Sequence, residues 1–444
     1  PRLGASWDIM GDGRWKLSGS YGEFYDVMKY ELARGSFGGD IWFSNVYKLD
    51  SPNVNGLSKA NPGALGALIT RYDNRTVPIN AQGQLDGIDS DIKPYKSREF
   101  TVSFDHQLAA RMVAGVRYTR KDLLKAIEDI GVLDSEDNET YLIGNPGFGQ
   151  TRKDPTHTFD GKTPNGNFLV PKAIRQYDAV EFRLQGQTRS FNFVGSYTWS
   201  RLYGNYSGLA NSDESGRSDP GVSRAFDLPY YYFDASGSQK NVLGRLGTDR
   251  PHTFKLFGAY ELKTPLGSTT FGLNQIAFSG TPDSTSVIYL SAPTYPNGRA
   301  DLGRTPFYTQ TDLAIHHTVK LSERTQLRFE GDARNLFNQS TVISRVTQIN
   351  RNSAITEGAL PLNQFFAGYK LSNFVNPQNI NGLTGKVNSD KYNPIYGLPG
   401  GSYRAGGGPD TTLDRFSSAY AVNSPNFGAF QDFRVLRLGV RLIF

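Results

Sequence analysis

The sequence predicts an all-β fold, a transmembrane antiparallel β-barrel, on three observations. Apolar residues recur at every second position in about eleven segments. Many of those segments are longer than the five or six residues typical of soluble sheets and fit a tilted membrane-spanning strand with an extension into water. The connections between them alternate short, long, short, long. Successive side chains of a strand point to opposite sides, so period two gives each segment one apolar face and one wet face. Tight turns at one end and long loops at the other are the layout of a barrel in a bacterial outer membrane.

The elements follow in order. Residues 2–9 and 13–25 are joined at Gly11-Asp12, and in the second Trp15, Leu17, Gly19 and Tyr21 alternate with Lys16, Ser18 and Ser20. Segment 97–107 sets Phe100, Val102 and Phe104 against Thr101, Ser103 and Asp105, and turns at Leu108 to Ala110 into 111–127. Segment 174–187 alternates Val180, Phe182 and Leu184 with Glu181, Arg183 and Gln185, and Thr188 to Ser190 lead to 191–203. Segments 251–263 and 268–280 meet at Thr264 to Gly267. In 305–319, Leu313, Ile315, His317 and Val319 alternate with Asp312, His316 and Thr318. Lys320 to Arg324 then lead to 325–337, where Leu327, Phe329, Gly331 and Ala333 oppose Arg328, Glu330, Asp332 and Arg334. The last segment, 432–444, alternates Leu436, Leu438, Val440, Leu442 and Phe444 with Arg437, Gly439 and Arg441.

The long connections cover about 26–96, 128–173, 204–250, 281–304 and 338–431. Ile41 to Leu49 reads as a strand of an extracellular hairpin inside the first. Such loops are uncommon in compact soluble domains. The last strand follows a long loop, so it descends and leaves Phe444 on the periplasmic side, with the long loops extracellular. Trp7, Trp15, Tyr118, Trp199, Tyr203, Tyr260, Phe307 and Tyr308 lie near strand ends, where interfacial aromatic girdles are expected.

Composition narrows the function classes. The 444 residues include no cysteine, which removes disulfide scaffolds, thiolate metal sites and thiol nucleophiles. Aromatics at 13% and a net charge of only +6 exclude a disordered chain. The positive charge is dispersed, so nucleic acid is not an expected partner. No window reaches the roughly 20 apolar residues of a spanning helix. An odd strand number leaves an open edge in hydrocarbon, where unpaired backbone groups are costly, so either one strand is unrecognised or the rest of the barrel lies upstream. With an opening of Pro1-Arg2-Leu3-Gly4 and no leader, the expectation is that residues 1–444 are the C-terminal part of a longer barrel polypeptide.

Candidate residues follow from the pattern. Leu436, Leu438, Val440, Leu442 and Phe444 form a terminal strand of the kind read by barrel-assembly machinery. Glu181, Arg183, Arg328, Glu330, Asp332 and Arg334 are expected to face a wet lumen, where charges pair across strands. Tyr230, Tyr231, Tyr232 and Phe233, in a long loop, are candidate ligand contacts. His316 and His317 point to opposite faces and cannot share a metal. The acidic groups Asp86, Asp89 and Asp91, and Asp134, Glu136, Asp137 and Glu139, lack calcium-loop spacing. They read as exposed acidic loops, with calcium binding the alternative and no other cofactor expected. No G-x-S-x-G elbow is present, and no catalytic residue is expected.

Several segments resemble the Oar-like TonB-dependent receptors of the Gram-negative outer membrane. They are Asp12-Gly13-Arg14 through Tyr21-Gly22-Glu23-Phe24-Tyr25-Asp26, Tyr177 to Ser200, and Asp249-Arg250-Pro251-His252 to Leu262. Asp332 to Asn338, and Asn423 to Phe427 followed by Arg434 to Phe444, complete the set. The similarity covers essentially the whole chain, and its specificity lies in order and spacing. It implies a 22-stranded barrel, a size at which the lumen is plugged, of which about half is here. It also implies a plug and an N-terminal regulatory-like domain outside this chain, with TonB engaged through that missing region. The implied activity is receptor and transport function for a bulky extracellular ligand (peptide, protein or glycan), in contact with outer-membrane lipid and without catalysis. The alternative is a structural or adhesive cell-surface scaffold whose loops hold a surface partner.

Overall fold

A computed structural model describes residues 1–25, 43–48, 67–73, 89, 91–133, 139–148, 151–153, 167–169, 172–208, 243–284, 287–289, 292–295, 298–344, 392–393, 398–399 and 430–444. Eleven long strands form one antiparallel sheet. They are β1 (Arg2–Asp8), β2 (Trp15–Tyr25), β3 (Lys96–Ala109), β4 (Met112–Lys125), β5 (Arg175–Gln187), β6 (Phe191–Gly204), β7 (His252–Thr264), β8 (Gly267–Phe278), β9 (Tyr308–Lys320), β10 (Gln326–Arg334) and β11 (Val435–Ile443). Each pairs only with its sequence neighbours, apart from a two-residue strand, Gly244–Arg245, that adds to β6. The expected segments agree with these strands to within three residues. No helix occurs among the described residues.

The register carries the alternation across the whole sheet. Trp7 opposes Leu17, which opposes Phe104, which opposes Val116, which opposes Phe182, which opposes Tyr197, which opposes Phe254. Farther on, Phe271 opposes Ile315, which opposes Gly331, which opposes Leu438. One face is therefore continuously apolar. A second layer packed on that face would bury these side chains. Instead Leu438 is 90% exposed, Phe182 52% and Phe329 46%. An exposed apolar face this large fits the lipid side of an outer-membrane barrel. The few buried apolar side chains among the described residues lie elsewhere: Leu123, Ala126, Ala173 and Tyr206, with Tyr95 against them, form a cluster at the loop-bearing end, and Ala179, Leu202 and Leu246 are also buried.

The short turns are built from local polar chemistry. Asp8 accepts hydrogen bonds from the backbone N–H of Gly11 (3.1 Å) and Gly13 (2.7 Å). Both glycines have positive φ, 72° and 74°, so the turn needs residues without a Cβ. Between β9 and β10, the Ser322 hydroxyl accepts from Thr325 N–H at 3.0 Å. The long connections contain hairpins of their own, such as Glu128–Leu133 with Glu139–Gly144. The strand expected at Ile41 to Leu49 is Phe43–Tyr47, paired with Leu68–Asp73.

Two features depart from expectation. Segments 305–319, 325–337 and 432–444 are each three residues too long at the loop end. Asn335 takes φ of 51° and turns the chain out of the ladder, although Phe337 keeps the parity of the apolar positions. Tyr308 was expected in the aromatic girdle, yet it shares the polar face with Gln310 and Asp312 and stacks on Phe278 at 4.4 Å. Trp7, Trp15, Tyr118, Trp199, Tyr203 and Tyr260 lie on the apolar face in register.

Candidate functional site

The polar face and the loop-bearing rim above it hold the chemistry. On the polar face, Glu330 pairs with Arg441 (3.3 Å), His316 lies 3.1 Å from Asp332, and Arg328 donates to the Thr318 hydroxyl (3.2 Å). Glu181 stands opposite Arg117 and Thr198, while Arg183 donates to Gln185 (2.6 Å). Arg334 pairs with Asp432 at 3.1 Å. The six charged residues picked from the sequence thus share one face, but in two groups. Glu181 and Arg183 sit on β5 and the other four on β10. Five strand spacings separate them, roughly 24 Å along the sheet. His317 turns to the apolar face and meets the Thr269 hydroxyl at 2.8 Å, so the two histidines diverge.

The rim is tied by buried polar side chains. Asn145 and Asn205 are each 2% exposed. Asn145 donates to the carbonyls of Ala126 (2.6 Å) and Lys93 (2.8 Å) and accepts from Lys93 N–H (2.6 Å). Asn205 donates to the Lys172 carbonyl (3.0 Å) and accepts from Ile174 N–H (2.7 Å). An amide has two donors and an acceptor on one planar group, so a single Asn can close two crossing backbones.

A second tie is ionic. The Asp249 side chain has no exposed surface. It accepts from Leu202 N–H (2.5 Å), pairs with Arg304, and lies 3.4 Å from Arg245. Arg304 also donates to the carbonyls of Asp249 (2.8 Å) and Gly280 (3.1 Å). Next in sequence, Arg250 donates to the Ser279 carbonyl (2.8 Å) and lies over the Phe278 ring at 4.1 Å. Burial, with the charge of Arg304 second, lowers the Arg250 pKa below the ordinary guanidinium value.

The third tie closes the connection before β11. Asn335, 1% exposed, donates to the carbonyls of Gln339 and Asp432 (both 2.8 Å) and accepts from Gln339 N–H (2.9 Å). Its own N–H donates to Asp312 (2.9 Å), and Asn338 accepts from Arg434 N–H (2.9 Å). Gln431 donates to the Thr309 carbonyl at 3.0 Å. Asn335→Ala leaves these groups unpaired and places a Cβ without a compensating amide at φ of 51°. It should lower stability by about 2 kcal/mol, read as a shift of the urea midpoint of the intact protein.

Tyr230, Tyr231, Tyr232 and Phe233, and Asp86, Asp134, Glu136 and Asp137, lie outside the described residues. Asp89 accepts from Asp91 N–H at 2.9 Å, and Asp91 lies 3.7 Å from Lys93. Asn145, Asn205, Arg304 and Gln431 carry no sequence signal, because each is a single polar residue in a connection, outside any periodic pattern or motif. Asp249 and Asn335 did lie in the recognised segments, but their tying roles were not legible there.

Residues 1–279 match the family described as "Outer membrane beta barrel domain". The chain is 29% identical over 358 residues to the TonB-dependent transporter Oar of Myxococcus xanthus, covering 76% of this chain and 31% of that protein. The chain therefore spans about a third of the length of the curated relative it matches. Among solved structures it is similar to the outer membrane transporter YddB of Escherichia coli, with a TM-score of 0.42, 11% identity, and coverage of 77% of this chain and 37% of that one. For the ferripyoverdine receptor of Pseudomonas aeruginosa the TM-score is 0.38, with 10% identity and coverage of 78% and 30%.

Proposed function

The chain belongs to the outer membrane β-barrel domain family, and from that premise we propose that it is part of the wall of a TonB-dependent transporter. The observation that carries this reading is the single sheet with an exposed apolar face and a charged opposite face, joined to the similarity to Oar. Among the described residues β1 and β11 do not pair with each other. Open edges in hydrocarbon leave backbone groups unsatisfied, so further strands close the barrel. Residues 1–444 are then its C-terminal part, with a plug and a regulatory-like domain elsewhere in the polypeptide. The long loops face outward and receive a bulky ligand (peptide, protein or glycan). Phe444 ends in the periplasm, and Glu181, Arg183, Arg328, Glu330, Asp332 and Arg334 line the lumen.

The test is binding of the full-length protein, in detergent, to the purified periplasmic domain of TonB. Saturable binding is expected, and its absence would favour a surface scaffold instead. The terminal strand makes a separate prediction. Phe444 is 93% exposed and lies one residue beyond the last ladder pair of β11, at the turn end of the apolar face. Phe444→Ser should lower the stability of protein refolded in lipid by no more than about 1–2 kcal/mol, the loss of one apolar side chain at the membrane edge, while the amount assembled in the outer membrane falls several-fold. Unchanged membrane levels would remove the assembly-signal role of Leu436, Leu438, Val440, Leu442 and Phe444.

A further inference from the structure

Two guanidinium groups, those of Arg304 and Arg245, surround one carboxylate at the rim between β6 and β8, and a third, that of Arg250, lies near Arg304. Arg304 and Arg245 both reach Asp249. Arg250, the next residue, has no acidic partner among the described residues. Of its five N–H donors, one is hydrogen-bonded among the described residues, to the Ser279 carbonyl at 2.8 Å. The guanidinium is nevertheless held in place, with its central carbon 4.1 Å from the centroid of the Phe278 ring. Phe278 is itself fixed, stacked on Tyr308 with 2° between the rings, and the Tyr308 hydroxyl donates to Gln310 at 2.6 Å. Phe278 and Tyr308 oppose each other on the polar face. A partly buried cation beside a second cation, without a counter-charge, is costly. A guanidinium fork supplies paired donors that match the geometry of an oxyanion.

We propose that Arg250 and the Phe278–Tyr308 pair form a binding site, at the loop end of the polar face, for a soluble molecule bearing a carboxylate or phosphate group. The aromatic pair holds the guanidinium, and Asp249 is already engaged by Arg304 and Arg245. The site is a property of the rim and does not depend on whether the barrel is energised by TonB.

The experiment is arginine-selective modification by phenylglyoxal on the full-length protein in detergent, read residue by residue by mass spectrometry. The buffer is a zwitterionic amine, with inorganic phosphate or acetate added as probes. Arg14 and Arg324, in the short turns at the opposite end of the sheet, are the controls. At a probe concentration about ten times its dissociation constant, modification of Arg250 should slow about tenfold by simple occupancy, with Arg14 and Arg324 unchanged. Protection by phosphate alone or by acetate alone also supports the site and tells which oxyanion it takes. Equal modification of Arg250 with and without both probes overturns the proposal. So does complete protection in probe-free buffer, because the polypeptide would then fill the site itself.

Discussion

Asp249→Ala should cost the folded protein about 3–5 kcal/mol, the usual penalty for removing one member of a buried ion pair. The carboxylate is fully enclosed and holds Leu202 N–H and Arg304 and lies beside Arg245. Without it, those two cations face each other and Arg250 with no counter-charge, and a backbone donor of β6 is stranded. Asp249→Asn keeps the shape and one acceptor, so it should fall between wild type and alanine. Urea titration of the intact protein refolded in lipid, followed by its heat-modifiable gel band, measures both. An alanine variant within about 1 kcal/mol of wild type would mean that the rim tie is held by its backbone bonds alone.

Leu438→Arg should destabilise the protein in bilayers by about 2–4 kcal/mol, the range for a cation on the lipid side near the membrane midplane. Leu438 lies in the middle of β11, opposite Gly331, and is 90% exposed. Exposure of that degree in a soluble sheet would make the substitution nearly neutral, so the effect separates the two environments. Thr198→Arg, in mid-strand on the polar face opposite Glu181 and Thr253, is the matched control and should change stability by less than about 1 kcal/mol. The same titration reads both variants. A neutral Leu438→Arg would contradict a lipid-facing belt.

Strand number, order and facing were legible because each rests on a local rule, period-two alternation, that survives along the chain. Lys16 against Leu17, or Arg183 against Phe182, states its side of the wall without any knowledge of the fold. The same rule corrects Tyr308, whose even position places it with Gln310 and Asp312. Its location near a strand end suggested a girdle, but parity was the stronger signal. The loop ends of β9, β10 and β11 were less legible, since Phe337 keeps the apolar parity although Asn335 has already left the strand. The rim ties were not legible, because their meaning depends on distant partners. Gln431 finds the Thr309 carbonyl 122 residues away, and Asp249 finds Leu202 N–H 47 residues away. No local pattern announces a single polar side chain whose function is to bind remote backbone.

The Asn335 tie has a consequence for how such a surface changes over time. It fastens the departure and return of the connection before β11 to each other, independent of what lies between them. Doubling the intervening length then adds only about 0.6 kcal/mol of closure entropy, a small perturbation to a wall secured at its own base. Insertions, deletions and wholesale exchange of the residues between Gln339 and Gln431 become affordable, while the sheet that carries them stays constant.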